Sequence, residues 1–137
     1  MKKFNLVFIV FILLISWGCE EKITEPKSTE KIKILTNGIW EIAADTEVGE
    51  VGAQLKYYSD GRAQVRASDT SGWYNEYLQW SMTNDGTEIT LNGTDGPGTQ
   101  DVLQILELTN THFRGKIISS TSSEAIGKVS KMFNVAE

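Results

Sequence analysis

The side chain best placed to do chemistry in this sequence of 137 residues is a single thiol. Cys19 follows Lys2 and Lys3, an unbroken apolar run from Leu6 to Ile15, and then Ser16-Trp17-Gly18. In such a leader the basic start stays on the cytoplasmic side, the apolar core enters the membrane, and the small Gly18 lets a peptidase reach the bond before Cys19. The freed Cys19 is then an attachment point for lipid. The run is too short to span a bilayer as a helix, which takes about twenty residues. An uncleaved anchor or a plain secretory leader with a stray cysteine are the alternatives. Cys19 is also the only cysteine, so once it is acylated the folded part has no disulfide, no thiol catalyst and no cysteine-based zinc site.

The other candidate groups are weaker. His112, the single histidine, stands between Thr111 and Phe113 with no nucleophile or orienting partner nearby in sequence; no catalytic residue is assigned and no enzyme is expected. Asp95, Asp101 and the glycine-rich stretch from Asn92 to Gly98 offer oxygens suited to calcium. They lack the dense carboxylate spacing of a calcium loop, so neither metal nor cofactor is expected. Glu47 with Glu50, and Asp69 with Glu76, read as solvated surface. Trp73-Tyr74 follows Ser68-Asp69-Thr70-Ser71-Gly72, which sets aromatic rings beside polar donors. Such a loop can rim a pocket mouth, form a sugar- or protein-binding patch, or fold back onto the domain.

The formal charge of the whole chain is −5, and it becomes two units more negative when Lys2 and Lys3 leave with the leader. An acidic surface without a basic stripe makes nucleic acid and anionic headgroups poor partners. Residues 19–31 are charged and polar and include Pro26. They are expected to form a flexible tether. Residues 32–137 suffice for one domain with one core.

From Ile32 onward, apolar residues recur at every second position. Trp40, Ile42 and Ala44 do so, as do Leu78, Trp80 and Met82, then Ile89 and Leu91, then Phe113, Gly115 and Ile117. That period lays side chains on one face of a strand. Asp60-Gly61 and Asp85-Gly86 separate extended runs and mark tight hairpins. Eight strands are expected near 38–46, 51–58, 62–68, 74–83, 87–92, 101–109, 112–119 and 128–135, with no amphipathic helix of ten or more residues. Residues 99–108 fit a helix or a buried strand equally. An all-β, eight-stranded antiparallel up-and-down barrel is favoured, because closure removes exposed edges; a small β-sandwich is the alternative.

The segment Leu35-Thr36-Asn37-Gly38-Ile39-Trp40-Glu41-Ile42 carries a Gly-x-Trp lead into the first strand. Leu55 to Gly61 and Trp80 to Leu91 each run a strand into an Asp-Gly turn, and Ile105 to Thr109 supplies a late strand. In this order and spacing the chain resembles the short lipocalin-like domains of bacterial lipoproteins, and Glu20-Glu21-Lys22 resembles the charged tag that follows the lipidated cysteine in those of the Bacteroidetes type. The resemblance implies a lipid-anchored barrel of the cell envelope, at the outer membrane, with Trp40 packed across the closed end. It also implies a cation from the last strand beneath that ring, for which only Lys128 or Lys131 is available. The function expected is binding of a small hydrophobic or amphipathic ligand. Trp40, Ala63, Ala67, Trp80, Met82 and Phe113 are the expected lining, with small inner residues such as Ala53 and Gly115 leaving room. The same pattern suits a filled barrel. A filled barrel would act as an envelope protein-interaction module, an inhibitor or accessory subunit, through Trp73 and Tyr74.

Overall fold

The computed structural model describes residues 27–69 and 72–135. Eight strands follow one short helix: α1 Lys27–Thr36, β1 Ile39–Ile42, β2 Gln54–Tyr57, β3 Arg62–Arg66, β4 Tyr77–Met82, β5 Glu88–Asn92, β6 Gln100–Leu108, β7 His112–Ser120 and β8 Val129–Val135. Each strand pairs antiparallel with the next, and β8 returns to β1 through Ile39 opposite Val135 and Ile42 opposite Met132. The sheet is a closed barrel and not a sandwich. All eight expected strands are present, and 100–108 is strand.

Alternation fills the interior. Trp40, Leu55, Tyr57, Ala63, Trp80, Ile89, Leu91, Leu103, Phe113, Ile117 and Met132 form the buried cluster with Leu35. Two bulges interrupt the period between β6 and β7. Ile105 faces Gly115 while Glu107 faces Arg114, which leaves Leu106 as an extra residue. Val102 faces Ser119 while Leu103 faces Ile117, which leaves Ile118 extra. A bulge bends its strand and exchanges inward and outward positions beyond it. Leu106 and Ile118 consequently stand exposed, although a strict alternation of apolar residues gives no sign of it.

The helix corrects the sequence expectation. Residues 27–31, read as tether, form the first half of α1, a helix of ten residues; residues 19–26 lie outside the described ones. An isolated helix of this length is marginal in water, so tertiary contact must hold it. Leu35 is fully buried, and Lys31 Nζ donates to Gly86 O at 2.6 Å. Both contacts fasten α1 across the end of the barrel that carries the tight turns at 58–61, 83–87 and 109–111.

The turn before β5 is held by one carboxylate. Asp85 Oδ1 accepts from Thr83 Oγ1 at 2.7 Å, Thr87 Oγ1 at 2.8 Å and Thr87 N at 3.1 Å. The Thr83 hydroxyl, then the Thr87 hydroxyl and amide, hold its pKa down to about 2 from an ordinary 3.8. A carboxyl with a depressed folded pKa stabilises the fold above its unfolded pKa, and that contribution disappears as pH falls through the folded one. Asp85→Ala should therefore lower the urea midpoint at neutral pH. The gap from the parent should close between pH 3.8 and about 2; a gap constant across that window would show that the carboxylate charge contributes nothing.

Candidate functional site

The four longer connections, 43–53, 67–76, 93–99 and 121–128, all lie at the end of the barrel opposite α1. A cavity of about 510 Å³ opens between the first, third and fourth of them, inside the roughly 300–1,000 Å³ usual for small-molecule sites. Leu55, Val65, Leu78, Leu91, Leu103 and Ile117 form its walls. Tyr57 and Met132 lie at its deep end. Tyr57 packs edge-on against Trp80, with ring centroids 5.6 Å apart at 86°. That pair divides the hollow half of the barrel from the filled half.

Apart from the Tyr57 hydroxyl, the polar side chains lie toward the mouth: Glu50, Thr94, Asp95, Asp101, Ser122, Glu124 and Lys128, with Ser120 and Ser130 on the inner strand faces. The Ile118 bulge accounts for one of them. Without the extra residue Ser119 would face inward; with it, Ser120 does, opposite Asp101, and Ser120 Oγ donates to Asp101 Oδ1. Glu50 Oε1 accepts from Ser68 N at 3.2 Å and from Ser68 Oγ.

Two hydroxyls in the cavity lack partners among the described residues. Thr94 Oγ1 is buried without a hydrogen bond. Tyr57 is only 2 % exposed, no hydrogen bond is made by its hydroxyl, and burial pushes its pKa up. The phenol therefore stays a neutral donor. The Thr94 hydroxyl is thus a buried polar atom without a partner among the described residues, which is uncommon in native interiors and calls for an explanation.

None of the six residues expected to line a ligand site lines this cavity. Trp40, Ala63, Trp80 and Phe113 are buried in the half of the barrel beneath α1, and Met82 packs against the same cluster. Ala67 is buried at the opposite end, beyond β3, without reaching the cavity. Trp40 Nε1 donates to Leu35 O at 2.8 Å, and its ring meets Phe113 edge-on at 6.5 Å. Trp80 Nε1 donates to Tyr58 O and Arg62 O, both at 3.0 Å. These indoles have their polar atoms satisfied by backbone, as large core anchors do.

Gly115, expected to leave room, does not. A Cβ there would lie 2.8 Å from Phe113 Cζ and 3.0 Å from Leu103 Cδ2, so the ring already occupies the space. Nor does a lysine lie under Trp40. Lys131 Nζ is 2.6 Å from Asp45 Oδ2, and Lys128 stands at the mouth. Phe113 and Leu35 take the place of the expected cation. Gly38 also helps set this end. At φ 128° its backbone favours glycine, and a Cβ would overlap the Asn134 side chain, whose Nδ2 ties Asn37 O at 3.0 Å to Asn110 O at 3.1 Å.

Trp73 and Tyr74 part company. Arg66 lies over the Trp73 ring at 4.9 Å. Tyr74 is pinned by its backbone N–H to Val65 O at 2.9 Å, and it lines a side recess that shares Val65, Leu78 and Thr94 with the main cavity. His112 is exposed at the α1 end, with Nδ1 2.9 Å from Thr111 Oγ1. Among the described residues no group of three or more His, Cys, Asp or Glu could hold a metal ion. Cys19 and the leader at 1–18 lie outside the described residues. No protein-family model matches the chain, and no curated protein matches it.

Proposed function

We propose that this chain is a lipid-anchored, non-enzymatic barrel of the lipocalin-like kind that holds a small hydrophobic or amphipathic molecule in the open half of its interior, outside the cytoplasm. One observation carries the reading: a cavity of about 510 Å³ with apolar walls and a polar mouth. A barrel built only as a scaffold gains from filling such a space, since packed interiors approach crystal density and each void forfeits dispersion contacts. The alternative, a protein-interaction module, rests on a filled interior and on Trp73, whose ring is engaged by Arg66.

The anchor and the ligand are separable by experiment. Cys19→Ser should move the protein from the membrane fraction to the soluble one, and retention at the membrane would refute acylation. The released protein, examined intact by native mass spectrometry, should carry a discrete added mass that disappears on denaturation. Ser130 lines the cavity from β8, so Ser130→Phe should fill the space and abolish the added mass while the fold persists. A bare parent mass, even after incubation with envelope lipid extract, would overturn the ligand reading and direct the search to the Trp73 loop.

A further inference from the structure

We infer that the cavity selects a cationic amphiphile: a molecule with an apolar body, a protonated or quaternary amine at the mouth, and a polar atom at its inner end. This rests on the reading that the cavity is a ligand site, and it adds the chemical class. Three regions far apart in sequence bring four carboxylates to one opening. Glu50 comes from the connection after β1, Asp95 from that before β6, Asp101 from β6 itself and Glu124 from the turn between β7 and β8. A single ammonium, Lys128, shares the rim.

None of the four carboxylates is in an ion pair among the described residues; the pairs there are Arg62 with Asp60, Arg114 with Glu107, and Lys131 with Asp45. The donors that do reach the rim acids, Ser68 to Glu50 and Ser120 to Asp101, are uncharged. They fix the side chains without cancelling their charge. Like charges around a low-dielectric cleft focus a field that concentrates ions of the opposite sign. The carboxylates do not form a metal-holding group, so the cation that fits is one that spreads its contacts and brings an apolar body for the walls.

The second observation lies at the other end of the same cavity. Tyr57, only 2 % exposed, lines the cavity, and its hydroxyl has no hydrogen-bond partner among the described residues. A phenol without a partner at the end of an apolar passage gains a hydrogen bond when the inner end of the ligand brings an acceptor. Tyr57 and the acidic rim therefore set two polar contacts at opposite ends of an apolar passage.

The test uses the soluble Cys19→Ser protein and calorimetric titration with probes of equal chain length below their aggregation concentrations: decylammonium, decanol, decanoate and the matching amino alcohol. Decylammonium should bind about tenfold more tightly than decanoate in dilute buffer, with the gap shrinking as salt screens the rim. The double variant Asp101→Asn/Glu124→Gln, checked for folding by its melting profile, should lose that preference. The amino alcohol should exceed decylammonium in the parent, and Tyr57→Phe should erase that difference. Equal binding of all probes would overturn the charge selection while leaving the ligand site standing. Binding of none would overturn the ligand site itself.

Discussion

Trp40→Ala should cost about 3–5 kcal/mol of folding free energy, a large share of the roughly 5–15 kcal/mol that holds a domain together. The indole is fully buried between α1 and the barrel. Its loss removes the edge contact with Phe113 and the hydrogen bond to Leu35 O at once. Because α1 is too short to persist alone, losing its main seat should release it, and circular dichroism should report lost helix before the sheet melts. Trp40→Phe separates the contributions. It keeps an aromatic ring and deletes the N–H donor, at an expected cost of about 1–3 kcal/mol for the buried carbonyl left behind. Urea unfolding of both variants checks the ranking. A loss under about 1 kcal/mol for Trp40→Ala would mean that α1 is held by something other than this ring.

Gly115→Val should destabilise by about 1–3 kcal/mol despite valine's preference for strands. The new Cβ would meet Phe113 at 2.8–2.9 Å and Leu103 at 3.0 Å, and the Phe113 ring is itself buried edge-on against Trp40. In a Phe113→Leu background the same substitution should cost much less, because the smaller side chain vacates the contact. A double-mutant cycle would then show clear coupling between the two positions. Additive costs would place the strain in the backbone and not in the ring.

The strands were legible because period-two alternation and the Asp-Gly turns are local signals, and closure follows once eight such strands have no helix long enough to cover their edges. The helix was not legible. Lys27-Ser28-Thr29-Glu30 looks like solvated linker, and what makes it helical is Leu35 and Lys31 reaching the barrel end, contacts that sequence pattern does not encode. The position of the cavity is illegible for a related reason. Alternation tells which face a residue occupies but not its height along the barrel axis, so Trp40, Trp80 and Phe113 face inward as expected yet lie in the half away from the cavity. The sequence shows the oxygens of Asp101, while its neighbour Ser120 depends on a bulge at Ile118 that leaves no mark in the residue types.

The seating of α1 has a directional consequence. Lys27 begins a helix lying across the plugged end, and Val135 finishes opposite Ile39 at that same end. Both limits of the described chain thus leave from one pole, and every mouth loop gathers at the other. The described domain is a cup whose two chain limits lie at its base, away from the opening. Mouth loops can change length without disturbing the handle, and a probe or surface coupled through either terminus leaves the rim clear.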